Sequence, residues 1–133
     1  MFLAKKSILL LLVSLLLGGC TTRTITQTSI TNLTPPKQVR NESGLYLLEA
    51  LWSSQQQSIR KDSFKAYVKV GLEFYPMRPT QMLPNRWEAL VPVPPDKAIL
   101  NYSFKFDYLY NAIPEPRADS KWSSLYQLEI TGK

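Results

Sequence analysis

Between Gly44 and Ile130 the apolar side chains fall on every second residue, and that period of two commits the segment to β-strands. Tyr46, Leu48, Ala50 and Trp52 share one face of a first run. Phe64, Ala66, Val68 and Val70 share a face of the next, with Lys65, Tyr67 and Lys69 opposite. Trp87, Ala89, Val91 and Val93 repeat the pattern. Tyr102, Phe104, Phe106, Tyr108 and Tyr110 line an aromatic face against Ser103, Lys105 and Asp107, and Tyr126, Leu128 and Ile130 make a last short run. A helical reading fails, because a 3.6-residue period is missing and Pro76, Pro79, Pro84, Pro92, Pro94, Pro95, Pro114 and Pro116 interrupt the segment.

Turn-rich stretches separate the runs: 41–44, 53–58, 76–85, 92–97 and 111–124. Five or six strands, with an edge strand from Ser29 to Leu33, predict a small antiparallel sandwich whose two sheets share one core. The order and spacing of these runs resemble the broad immunoglobulin-like class found in bacterial surface proteins and in accessory domains of carbohydrate enzymes. The expected fold class is therefore all-β, a single immunoglobulin-like antiparallel β-sandwich. The Cys-Trp-Cys pattern of antibody domains is absent, which excludes that subgroup and leaves the function open.

The chain begins differently. Lys5 and Lys6 precede the apolar run Ile8 to Leu17, which is about half the roughly twenty residues that a spanning helix needs. A short basic region followed by such a run is the layout of a secretory signal. Leu17-Gly18-Gly19-Cys20 then resembles the lipobox of bacterial lipoproteins, an aliphatic residue and two small residues before an obligatory cysteine. The resemblance implies acylation of the Cys20 thiol and cleavage after Gly19. Cys20 is the one cysteine of the chain, and acylation removes what would otherwise be an unpaired thiol in an exported protein. Thr21 and Thr22 after the cysteine resemble lipoproteins sorted to the outer membrane, so the expected location is a lipid anchor there, facing the periplasm or the cell surface.

These readings divide the chain into a signal peptide (1–19), a lipidated Thr- and Pro-rich tether (20–36) and the sandwich (37–133). Of 133 residues, 114 remain after cleavage, enough for one domain. Without Lys5 and Lys6, 14 basic side chains stand against 10 acidic ones, a surplus of about +4. They are scattered, and no basic arm or recognition helix points to nucleic acid.

The chain has no histidine, so Ser-His-Asp and Cys-His nucleophile schemes are closed to it, and zinc lacks its usual ligands. No catalytic residue, metal or cofactor is expected. The ten carboxylates are spread singly along the chain, and a small hydrolase would need two of them facing one another in a cleft. Aromatic residues are the remaining candidates. Trp52 and Trp87 continue apolar faces and read as core. Trp122 lies in the polar stretch Asp119 to Ser124, read as part of a long loop, where it is either a contact residue or a plug over the sandwich edge. Tyr75, Met77 and Arg78, ahead of a Pro-rich stretch, form a second candidate surface. The expected function is that of a lipid-anchored, non-catalytic envelope protein with a structural or protein-interaction role. It would be an accessory to a larger envelope assembly; the alternative is a glycan-binding module for envelope polysaccharide or peptidoglycan.

Overall fold

The computed structural model describes residues 27–132 together with Gly19. The signal segment, Leu17, Gly18 and Cys20 lie outside the described residues. The described chain forms ten strands and a single 3-10 turn at Lys61–Ser63. The strands are β1 (Thr28–Asn32), β2 (Lys37–Val39), β3 (Leu45–Ser54), β4 (Lys65–Val70) and β5 (Glu73–Pro76), then β6 (Arg78–Pro79), β7 (Arg86–Pro92), β8 (Ile99–Tyr110), β9 (Arg117–Trp122) and β10 (Tyr126–Thr131). They make an all-β sandwich. One sheet has the order β1-β3-β7-β6; the other has the order β2-β10-β8-β4-β5, with β9 also on β8. β2 runs parallel to β10, and the other strand pairs are antiparallel. Among the described residues no helix is long and apolar enough to cross a membrane.

Most of the alternating side chains that the sequence points to are core, joined by Leu100 and Met77, while Phe64, Val70, Tyr110 and Tyr126 are only partly buried against it. Tyr46, Leu48, Ala50, Trp52, Ala89, Val91 and Val93 from the first sheet meet Ala66, Val68, Leu100, Tyr102, Phe104, Phe106, Tyr108, Leu128 and Ile130 from the second. Trp52 touches Phe64, Phe106 and Tyr108 at ring-centroid distances of 5.1, 5.1 and 5.3 Å. Each large side chain buried this way contributes roughly 1.5–3 kcal/mol. Trp87 is only partly buried and packs on the core beside Phe64 and Phe106.

Two boundaries differ from expectation. Residues 20–36 do not all form a tether, because β1 pairs along its length with β3, placing Ile30 opposite Trp52. The thin apolar content of β1 suits an edge strand, which has a neighbour on one side only. Thr34 is buried, and its hydroxyl donates to the Glu49 carbonyl (3.3 Å) while accepting from the Glu49 amide (2.9 Å). The folded domain therefore begins at Thr28 and not at residue 37. The second correction is the stretch 111–124. Residues 111–116 connect β8 to β9, Arg117 to Trp122 is β9, and Ser123 and Ser124 begin the short link to β10. Lys105, Phe106 and Asp107 pair with β4 and with β9 at once, so β9 lies on the edge of β8 that β10 occupies further along.

β9 and β10 are thus one strand with a bulge. The register on β8 changes by one residue between the pairs Lys105–Trp122 and Tyr102–Tyr126. At the bulge Ser123 donates its amide to the Phe104 carbonyl (2.9 Å), and its hydroxyl accepts from the Phe104 amide (2.7 Å). A side chain stands where a ladder carbonyl would. The opposite side of the sandwich closes at Met77. Its amide donates to Ala66 of β4 (2.8 Å), and the next two residues pair with β7, so the chain switches sheets at a buried methionine.

Candidate interaction surfaces

Trp122 is the last residue of β9, directly opposite Lys105 of β8. It points to the outer face of the sheet, away from the core, and is 46% exposed. It therefore does not plug the sandwich edge. On that outer face the register sets Tyr67, Lys105 and Trp122 in one row and Phe74, Lys69 and Ser103 in the next. Trp122 and Phe74 stand on strands three spacings apart, about 14 Å. Their ring centroids are nonetheless 6.2 Å apart, so both side chains lean inward across β8 and β4. Phe74 also meets Tyr67 edge-on at 6.1 Å.

Two lysines sit with these rings. Lys105 Nζ is 5.3 Å from the Trp122 centroid and 5.8 Å from that of Phe74, and Lys69 Nζ is 5.8 Å from Trp122. Each such contact contributes about 0.5–1 kcal/mol near solvent. Lys105 is also 3.2 Å from Asp107 Oδ1, to which the Ser120 hydroxyl donates at 2.6 Å. The result is a half-exposed aromatic patch with cations built into it. On the inner side of the same strands, burial and the neighbouring Asp119 carboxylate hold the Tyr108 hydroxyl above its ordinary pKa; that hydroxyl donates to Asp119 Oδ2 (3.3 Å).

Tyr75, Met77 and Arg78 do not form one surface. Tyr75 packs partly buried against the core, Met77 is buried at the sheet-switching corner, and Arg78 is exposed on the first sheet. There Arg78 Nε binds Glu88 Oε1 at 3.1 Å, beside the Arg86–Glu49 pair at 2.9 Å. Glu49 and Glu88 are register partners, so two carboxylates do face each other. They lie on an outer sheet face with a guanidinium on each, as a charge network. Next to it Leu45, Leu47 and Leu90 form an exposed apolar strip. Among the described residues no group of three or more candidate metal ligands occurs.

One end of the sandwich carries a further feature. The β6–β7 connection, residues 80–85, stands over a groove of about 920 Å³ lined by Trp52, Phe64, Met77 and Trp87. Met82 and Asn85 adopt left-handed backbone conformations (φ 62° and 63°), which side chains other than glycine rarely take. The turn leaves Met82 almost wholly exposed (99%) and Leu83 half so. No protein-family model, curated protein or solved structure matches the chain.

Proposed function

We propose that this chain is a lipid-anchored, non-catalytic envelope protein that recognises a protein partner through the outer face of β4, β5, β8 and β9, as an accessory to a larger envelope assembly. The observation that carries the reading is the Trp122–Phe74 patch with Lys69 and Lys105. Exposed aromatic residues, Trp above all, are enriched at protein-recognition surfaces, and the two lysines beside them add charge that selects an acidic partner. The lipid anchor rests on Leu17-Gly18-Gly19-Cys20, and an outer-membrane location on the two threonines that follow.

An immunoglobulin-like architecture is part of the proposal. The order β1-β3-β7-β6 against β2-β10-β8-β4-β5 supports it, since it corresponds to strands A-B-E-D facing A′-G-F-C-C′. The parallel pairing of β2 with β10, as A′ with G, gives the same support. The rings of Trp122 and Phe74 are inclined by 61°, so they offer no flat platform for a sugar ring, and this favours a protein partner over a glycan.

The test is a photoreactive residue at position 122 in the membrane-bound protein, with adducts identified by mass spectrometry. A discrete protein adduct that disappears on Phe74→Ala or Lys69→Glu supports the proposal, provided the melting temperature is unchanged. Glycan adducts at 122 would transfer the patch to the alternative function, and no adduct above that at Leu72 would remove it as a binding surface.

A further inference from the structure

We propose that the end of the sandwich from which the tether departs is a membrane-docking surface, with Met82, Leu83 and Ile113 entering the interface of an anionic phospholipid bilayer. The inference rests on the reading of Cys20 as the lipid-carrying residue and adds an orientation to it.

The topology brings the relevant loops together. Thr28 at the start of β1 pairs with Ser54 at the end of β3. The amide of Trp52 donates to Asn85 (2.8 Å), which places the 80–85 turn at the same end. Asn111 donates to Ser58 (2.8 Å) and Ile59 bridges Tyr110, which adds the 111–116 loop from the other sheet. Three connections and the tether therefore share one end.

Chain length then says what that end faces. Eight residue steps separate Cys20 from Thr28. Fully extended they span at most about 29 Å. The sandwich is longer, since the twelve residues of β8 rise roughly 40 Å. An anchor this short holds the tether end within about 29 Å of the headgroups, less than the length of the sandwich, so that end is the one presented to the membrane in an upright domain.

The surface chemistry suits the position. Met82 and Ile113 are 99% and 94% exposed, from loops on opposite sheets, and Leu83 accompanies them. The left-handed residues Met82 and Asn85 hold the turn so that it projects apolar side chains outward. Around these loops Arg60, Lys61, Lys65 and Arg117 outnumber Asp62 and Glu115, four to two. At the far end the charges balance more closely: Glu42, Glu73, Asp96 and Glu129 stand with Lys37, Arg40, Lys69 and Lys97. Apolar tips ringed by cations bind an anionic interface by insertion and by attraction to headgroups. Leu72, 92% exposed in the β4–β5 turn at the far end, serves as an internal control.

The full lipidated protein carries the experiment. Met82→Cys, Ile113→Cys and Leu72→Cys each add one free thiol for an environment-sensitive fluorophore. The labelled proteins are reconstituted into phosphatidylethanolamine–phosphatidylglycerol vesicles containing lipid-borne quenchers. Quenching at 82 and 113 should exceed that at 72 about threefold or more, and Lys61→Glu with Lys65→Glu should reduce it. Equal quenching at all three positions, or at only one of the two loops, overturns the docking. Uptake of label by Cys20 itself, read from the protein mass, overturns the anchor instead and is a separate result.

Discussion

Ser123→Ala removes one oxygen from the bulge between β9 and β10, and its consequence can be worked from the geometry. The Phe104 amide sits mid-way along β8 in a residue with no exposed surface. Its acceptor is the Ser123 hydroxyl at 2.7 Å. The alanine variant leaves that amide without its protein partner at a part-buried position. An orphaned buried donor costs about 1–3 kcal/mol, more than the 0.5–1.5 kcal/mol net value of a typical hydrogen bond. The hydroxyl's other bond, donated to the Ser124 carbonyl (2.8 Å), is exposed and adds little.

For a domain of this size each kcal/mol moves the melting temperature by roughly 4–8 °C, so a loss near 2 kcal/mol corresponds to a fall of about 8–16 °C. Ser123→Thr keeps the hydroxyl and should recover most of the stability. Ser124→Ala, which removes no buried contact, should stay within about 0.5 kcal/mol. Hydrogen exchange resolves the cause: protection of the Phe104 amide should drop more than that of Phe106. If Ser123→Ala melts within about 2 °C of the parent with Phe104 exchange unchanged, the hydroxyl does not substitute for a ladder carbonyl and the reasoning fails.

Phe106→Ala should cost about 3–5 kcal/mol by opening a cavity among Trp52, Phe64 and Trp87, whereas Lys105→Ala should cost under about 1 kcal/mol; denaturant melts in the reverse order would place β8 in the wrong register. Cys20→Ser should leave the precursor unacylated and poorly processed, and mass spectrometry of membrane-extracted parent protein should show a modified Cys20 and no Met1. Because Tyr108 is held above its ordinary pKa near 10, the folded state keeps that proton longer than the unfolded chain. Its contribution is therefore complete below about pH 10 and lost as the pH rises past the folded value, so Tyr108→Phe should flatten the alkaline decline in stability seen by urea titration.

The parts of the fold that were legible in the sequence are those whose side chains are forced to alternate. β3, β4, β7 and β8 each bury one face, and Leu48, Val68, Val91 and Phe104 are all fully enclosed as the period of two requires. β9 was illegible for the opposite reason. Arg117 to Ser120 is exposed on both faces at the sheet's edge, so its strand conformation is held by backbone bonds to β8 and leaves no hydrophobic period to read. β1 gave a partial signal through Ile30. Its chemistry and polar surroundings mark Trp122 in the sequence, but its partners do not show there: Phe74, Lys69 and Lys105 reach it only through the order β5-β4-β8-β9. Sequence adjacency joins Met77 to Tyr75 and Arg78, but the switch between sheets sends the three side chains to different environments.

The two proposals constrain each other. A domain docked by its tether end stands on the bilayer with both outer sheet faces directed sideways. Lys105, opposite Trp122, lies five residues from the Tyr110 end of β8, which sets the aromatic patch about 17 Å above the loops. A partner that meets Trp122 and Phe74 at that height must itself lie close to the membrane surface. Loss of docking by Lys61→Glu and Lys65→Glu would free the domain to tilt through the reach of its eight-residue tether and weaken that encounter without touching the patch. Crosslinking from position 122 should therefore fall in that background while the melting temperature holds. An undiminished crosslink would separate the two surfaces and leave each proposal to stand alone.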